Sequence, residues 1–443
     1  MPYDVRRVLT TRLRAPSRLP RPLSVLLAVP ASARRTGELL SSTKEGRTPM
    51  PRTTRKTLPL AYTVSTACAA LWLATAATPA LAQSSVTLYG VIEAAVVSQN
   101  HASPDGGRIY SVNQAGEGFL SASRFGLQGV EDLGSGMKAR FVLENGFNSQ
   151  AGTFDQQGQL FGRQAFVALQ GGWGEFALGR QYTGAVVAIS MVDPIFIGAP
   201  PTNSWLVFLT GQRYNNALTW TKKFGPFGVN LQYALGGVAG QGSARSSASG
   251  GVSWEQNGSV FTGQVQQTHD SQSRLAKTWS LGAKVSYGQW KFHADYLQSQ
   301  RDAGFDVSNG GTDYASITNM STAATPTTVA AIGSVFSASR RDQFFTLGAS
   351  YLLNPAWQFI AAYMYDNTSA VNFSGKRQTI YGVIDYFLSK RTDVYFATAY
   401  ERVDGGWSGL FGTSTTNWTG GNGVKLNGYD NQMSYYVGLR HRF

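Results

Sequence analysis

The sequence predicts an all-β chain: a sixteen-stranded antiparallel transmembrane β-barrel with an in-folded third loop, preceded by a cleaved signal peptide. Three observations carry this. From residue 86 onward, segments of about ten residues alternate apolar and polar side chains, the pattern of half-buried strands. The connections between them are alternately short and long, as expected where turns face one side of a membrane and loops the other. No apolar run after residue 82 approaches the length of a helical span, so a membrane would have to be crossed by strands.

Composition agrees. Charged residues are only 14% of the 443, aromatics 12%, and there are 50 Gly, an odd mixture for a water-soluble enzyme. The formal charge of +13 misleads. Residues 1–82 hold 13 of the 38 Lys/Arg and three of the 25 Asp/Glu, so the remainder carries +3 and is no polyanion binder; no nucleic-acid partner is expected. The single Cys, Cys68, lies upstream as well, which leaves the body without a disulfide, a thiol nucleophile or a Cys-based metal site.

The N-terminal part reads as an address. From Met50 the chain shows Arg52, Arg55 and Lys56, an apolar run through Leu71-Trp72-Leu73, and then Ala80 and Ala82 as the small residues of a cleavage site. Residues 50–82 are therefore expected to be removed, giving a barrel over 83–443 that starts at Gln83. Residues 1–49, rich in Arg, Pro and Ser and without periodicity, read as an upstream start assigned too early.

In the body, Leu281, Ala283, Val285 and Tyr287 share one strand face and Ser280, Lys284 and Ser286 the other; Trp290, Phe292, Ala294 and Tyr296 alternate with Lys291, His293 and Asp295. Short turns are expected at 131–136, 171–174, 224–227, 256–258, 288–289, 354–356 and 389–393. Long loops are expected at 98–118, 148–158, 185–212, 238–249, 269–277, 300–341, 367–376 and 404–430. No helix is foreseen. All seven Pro of the body fall in these connections, as unbroken ladders require. The aromatic ends of the apolar faces, among them Trp279, Tyr287, Trp290, Trp357 and Tyr363, suit the two membrane interfaces.

Several segments resemble the general porins of Gram-negative bacteria, in particular the betaproteobacterial group. They are Ser85–Gly90, Ser123–Leu127, Val130–Gly134, Phe161–Phe166, Leu178–Gln181, Arg213–Asn216, Leu388–Thr392 and Val437–Phe443, in the family's order and spacing. The resemblance runs over 86–443. It implies a homotrimer of sixteen-stranded barrels passing small hydrophilic solutes passively across the outer membrane, in contact with lipid and lipopolysaccharide, and it implies no cofactor. Tyr435, Val437, Leu439, His441 and the terminal Phe443 alternate on one face; the family reads such an ending as the signal to the outer-membrane assembly machinery, and the bland reading is a last strand with an interfacial aromatic.

The third loop carries Asp193-Pro194, Ile195-Phe196-Ile197 and Pro200-Pro201, too apolar for a loop in water, so it is expected to fold into the lumen and narrow the pore, as the resemblance also implies. Strand parity puts Arg124 inside, opposite in facing to Phe125 and Leu127, and likewise Lys138, Arg140 and Glu144, opposite to Ala139, Phe141 and Leu143. Arg163 and Arg213 come by resemblance; the parity of Arg163 is ambiguous, and Arg180 shares its parity with Phe176 and Leu178. Arg124, Arg163 and Arg213 set against Glu144 and Asp193 would give a transverse field and a mild preference for anions. Each arginine could instead be an ordinary wall residue satisfied by a neighbouring carboxylate.

Two other classes make distinguishable claims. An outer-membrane hydrolase needs histidines or carboxylates gathered in a pocket, but His101, His269, His293 and His441 are scattered and no G-x-S-x-G or H-E-x-x-H motif occurs. A substrate-specific channel would line its path with aromatics, and a surface adhesin would use a segment such as the Ser/Thr/Ala-rich loop 300–341, whose composition also suits an unconstrained loop.

Overall fold

The computed structural model describes residues 85–102, 105–112, 119–198, 211–305, 338–371, 373–408 and 428–443; the expected signal, the upstream segment and Pro200-Pro201 lie outside these. Sixteen strands form one closed antiparallel ring: β1 (Ser85–Gln99), β3 (Arg124–Gly134), β4 (Met137–Gly146), β5 (Gln164–Gly171), β6 (Gly174–Tyr182), β7 (Arg213–Phe224), β8 (Phe227–Ala234), β9 (Ser247–Gln256), β10 (Ser259–His269), β11 (Leu275–Tyr287), β12 (Trp290–Arg301), β13 (Arg340–Asn354), β14 (Trp357–Ala370), β15 (Phe373–Phe387), β16 (Thr392–Gly405) and β17 (Asn431–Arg442). β1 pairs with β3 on one side and β17 on the other, which removes both sheet edges. The four-residue β2 (Ile109–Val112), inside the first long loop, lies on the far end of β1 and is not part of the ring. At the seam, Gly90 and Phe443 exchange two backbone hydrogen bonds of 3.1 Å.

All seven short turns appear where the sequence places them. The turn between β9 and β10 is Asn257-Gly258, both with positive φ, the dipeptide that two-residue hairpins favour because its twist matches the strands. The expected loop 367–376 is corrected: the ladder between β14 and β15 runs on to Ala370↔Phe373. Polar residues occupy both faces there (Asn367 and Thr368, Lys376 and Arg377), which hides a strand from a search for one apolar face.

The outward row is apolar and exposed, as alternation requires: Leu281, Val285, Tyr287, Trp290, Phe292, Leu347 and Leu439 all present more than a third of their surface. The inward row divides in two. On β7–β11 it is mostly uncharged and polar (Thr219, Gln232, Ser249, Gln264, Gln266, Thr278, Ser280), with Lys284 of β11 a charged member turned to the third loop, which packs over this wall. That loop contains an unforeseen helix, α1 (Gly184–Ser190), capped by the Thr183 side chain accepting from Val186 N and packed against β8–β11. Gln232 donates to the Tyr182 carbonyl (3.0 Å) and Ala185 N donates to Gln266 Oε1 (3.4 Å), tying the loop to this wall.

On β12–β17 the inward row is substantially apolar: Leu297, Phe344, Ile360, Met364, Tyr381, Val383, Tyr395 and Tyr436 form one buried cluster. Two loop segments complete it, Ile195 of the third loop and Phe119-Leu120, which lead into β3. The Phe119 ring lies 4.9 Å from Tyr436 and 5.7 Å from Tyr381. Buried Glu93 anchors this segment, its Oε1 accepting from Leu120 N (2.8 Å) and Tyr395 OH (2.6 Å). The lumen is thus partly filled by a hydrophobic core. Phe119→Ala is expected to cost about 3–5 kcal/mol through the cavity it opens, read as a lower urea midpoint with an unchanged slope.

Candidate functional site

Where the lumen is not filled, its wall is cationic. Arg124 heads β3; Glu144 stands on β4, across the ladder from Gly126 on β3 and Gln164 on β5. Arg163 immediately precedes β5, so strand parity never applied to it; its backbone N–H donates to the Glu144 carbonyl (3.1 Å) and its Nε donates to Glu144 Oε1 (2.7 Å). Arg124 Nε lies 4.0 Å from Glu144 Oε2, which also accepts from Tyr89 OH (2.9 Å). Glu144 is therefore not across the lumen from the arginines, as expected, but among them, because β4 is the strand between their two positions.

Tyr182, at the end of β6, joins the third arginine. Its hydroxyl accepts from Arg163 Nη2 (2.7 Å) and Arg213 Nη2 (3.4 Å), and the Arg213 guanidinium lies over its ring, 4.8 Å from the centroid. Arg213 is buried and also donates to Gln212 Oε1 (2.8 Å). Sequence reasoning missed Tyr182 because the register between β6 and β7 shifts between Gly179 and Gln181, and beyond a bulge the alternation of faces no longer predicts direction. The same irregularity turns Arg180 to the Gly162 carbonyl and Asn215 Oδ1, a brace between segments. Tyr182→Phe is expected to leave the barrel intact while removing one hydrogen bond from each of Arg163 and Arg213, loosening their positions and lowering ion selectivity about two- to threefold; the reversal potential under a salt gradient measures it.

Two expected constriction residues lie elsewhere. At about 3.3 Å per residue, Lys138 is roughly 20 Å and Arg140 roughly 13 Å along β4 from Glu144, toward the short-turn end. Arg140 is paired there with Glu175 (2.5 Å) and lies over Phe166. Neither belongs to the arginine group.

The third loop meets the wall at an elbow, Met191–Pro194. Lys284 Nζ donates to the Met191 carbonyl (2.9 Å), and His293 Nδ1 lies 2.6 Å from the Val192 carbonyl, so that nitrogen carries the proton. Two glycines make room. A Cβ on Gly282 (β11) would lie 2.6 Å from Val192 Cγ2, and one on Gly348 (β13) 2.6 Å from Pro194 Cγ. Asp193 does not face the arginines. It is 2% exposed, with Oδ1 accepting from Ile195 N and Ile197 N (2.9 Å each), and burial pushes its carboxyl up to about 6 against those two hydrogen bonds. The expected transverse field therefore lacks both of its negative members. What stands at this part of the wall is a group of three guanidinium ions gathered about one described carboxylate, Glu144.

A family model described as Gram-negative porin matches residues 67–406. An outer membrane porin protein of Bordetella pertussis is 35% identical over 183 residues, covering 38% of this chain and about half (48%) of that protein. Outer membrane porin protein 32 of Delftia acidovorans is 32% identical over 256 residues, covering 54% of this chain and 71% of the other. Among solved structures, an anion-selective porin from Comamonas acidovorans superposes with a TM-score of 0.60 at 21% identity, over 82% of this chain and all of that one, a likeness of fold.

Proposed function

Because the chain belongs to the Gram-negative porin family, we propose that it is an outer-membrane diffusion channel for small hydrophilic solutes and ions, with a mild preference for anions. As a porin it is a passive channel of the outer membrane and not an enzyme. The observation that carries the anion preference is the gathering of Arg124, Arg163 and Arg213 about Glu144 and Tyr182. Guanidinium groups held at a narrowed, low-dielectric passage raise the local concentration of counter-ions and repel co-ions, and the in-folded loop fixes the width at which they act.

The same reading includes a homotrimer in contact with lipid and lipopolysaccharide, and removal of residues 50–82 on export, with 1–49 upstream of the true start. It also takes the outward row Tyr435, Val437, Leu439 and Phe443 as the mark for the assembly machinery. The exposure of that row and the seating of Phe443 against Gly90 at the closing seam support it, since the last strand must be presented before the ring can close. The test is a planar bilayer under a salt gradient with the native protein. Conductance steps in threes with a reversal potential on the anion side are expected; a cation-side potential would overturn the role of the arginines, and absence of conductance would overturn the open channel.

A further inference from the structure

The outward face of a membrane barrel meets lipid, so a charge on it calls for a partner that a charge in water does not need. Three cations stand on that face at the long-loop end: Lys277 of β11, Arg341 of β13 and Lys376 of β15, all exposed. Alternation turns them away from the lumen, since Lys277 lies between buried Ala276 and Thr278, Arg341 between buried Arg340 and Asp342, and Lys376 beside buried Arg377. Arg402 of β16 lies on the same side but engages Asp404 (3.1 Å). Among the described residues, no carboxylate pairs with the other three.

The strands fix their height. Each cation lies ten residues from an outward tyrosine at the short-turn end of its own strand: Lys277 from Tyr287, Arg341 from Tyr351 and Lys376 from Tyr386. Ten residues at about 3.3 Å, along strands tilted by about 40°, rise roughly 25 Å, the height of the apolar band of an outer-membrane barrel. Tyr351 and Tyr386 pack on Trp290 and Trp357 (4.6 Å each) and mark the opposite interface. The cations are therefore level with the headgroups of the outer leaflet. They are also neighbours. Gln300 stands between Lys277 and Arg341 on one rung, which puts these two about 10 Å apart across two strands, and Asn367 stands beside Lys376 on the next outward rung. Amides and phenols lie at and below this level: Gln343 Nε2 donates to Tyr296 OH (2.9 Å), Tyr296 OH to Gln298 Oε1 (3.3 Å) and Tyr363 OH to Gln378 Oε1 (3.1 Å). At the same end of β8–β10 the outward residues are Tyr233, Leu235, Ala248, Val265 and Gln267, so the charge is gathered on one sector.

Resting on the outer-membrane reading above, we propose that Lys277, Arg341 and Lys376 form a docking surface for the phosphate groups of an outer-leaflet glycolipid of the lipid A type. Charge and spacing choose this occupant. Ammonium and guanidinium groups pair with phosphate oxygens through charge-assisted hydrogen bonds. Cations spread over two rungs and five strands match a headgroup that carries more than one phosphate, whereas a lipid with a single phosphate engages one of them and leaves the others unmet. The amides and phenols between and below the cations lie where the sugars of such a headgroup would rest.

The test titrates the whole folded protein, in detergent with EDTA, with bisphosphorylated lipid A and follows the complex by native mass spectrometry. Saturable binding that weakens as salt rises is expected. Lys277→Gln, Arg341→Gln and Lys376→Gln should each weaken it roughly fivefold and together by about a hundredfold, while Lys223→Gln at the short-turn end leaves it unchanged. Should the triple variant fail to fold, the single variants decide. Binding that these changes leave intact overturns the surface, as does equal binding of lipid A stripped of its phosphates; phosphatidylglycerol held as tightly as lipid A overturns the glycolipid as its occupant. Conductance in a plain phospholipid bilayer is read alongside. It should be the same in the triple variant, because these side chains face away from the lumen, and an altered conductance would overturn that placement. Absence of conductance in the unaltered protein would overturn the channel and leave the docking result standing.

Discussion

Replacing Arg124, Arg163 and Arg213 together with alanine is expected to abolish the anion preference and carry the reversal potential through zero to the cation side. On the proposed reading the groups act within several ångströms of a passing ion. Between a watery and a protein-like dielectric, one charge at that distance contributes about 1–2 kcal/mol, so each arginine removed changes the permeability ratio by roughly fivefold or more. With all three gone, Glu144 is left as the charge of this group and the sign reverses. The single variants should differ in a way that identifies the cause. Arg124, with about a fifth of its side chain exposed at 22% and its guanidinium 4.0 Å from Glu144, can be removed with little structural consequence. Arg163→Ala takes away the closest partner of a nearly buried carboxylate (2.7 Å) and adds a stability cost to the change in selectivity. Glu144→Gln runs the other way and should strengthen the anion preference. Arg402→Ala, exposed and paired with Asp404 on the outside of β16, serves as the control. Equal reversal potentials for the triple variant and the unaltered protein would remove the arginine group from the account.

Strand number, turn positions and the outward face were legible because membrane and ladder impose them residue by residue: Leu281 against Ser280, Asn257-Gly258 at a hairpin. The pattern could say that two faces differ, but not what fills the inside. Met364 and Tyr363, or Tyr381 and Ile380, are apolar on both faces, so alternation was silent where a core occupies the lumen. Parity put Arg124, Lys138, Arg140 and Glu144 on one face because β3 and β4 are regular over those residues; their grouping was not foreseeable, since Arg140 and Lys138 share the face of Glu144 yet stand four and six ladder rungs away. Tyr182 and Arg163 lie at a bulge and before a strand, where no period applies. The elbow was legible only as a loop too apolar for water. Its consequences for Asp193 depend on where Val192 and Pro194 land, and that is decided by two glycines about 65 residues apart on different strands, the kind of long-range contact no local pattern holds.

Those two glycines give the second large effect. Gly348→Val is expected to unseat the third loop and widen the pore while leaving the barrel closed. A branched side chain suits a strand better than glycine does, so the ladder itself gains slightly. The larger cost falls on the loop, with a smaller one on β14, whose Ala361 carbonyl would lie 3.1 Å from the new Cβ. A Cβ at 348 already meets Pro194 Cγ at 2.6 Å and Ala362 Cβ at 3.0 Å, and forcing such a fit costs about 1–3 kcal/mol. Against it stand the bonds that hold the elbow down, from Lys284 and His293 to the Met191 and Val192 carbonyls, together worth about 2–4 kcal/mol with one charged donor. The two sums are comparable, so the single variant should flicker between a seated and a lifted loop, seen as excess noise and a second, larger conductance level. Adding Gly282→Val, whose Cβ meets Val192 Cγ2 at 2.6 Å and Thr262 Oγ1 at 2.8 Å, tips the balance and should leave the larger level alone. Liposome swelling with sugars of increasing size checks the same change by the exclusion limit. A double variant with unaltered conductance and exclusion limit would mean that the elbow shifts along the wall rather than off it, and that the width of the pore is set elsewhere.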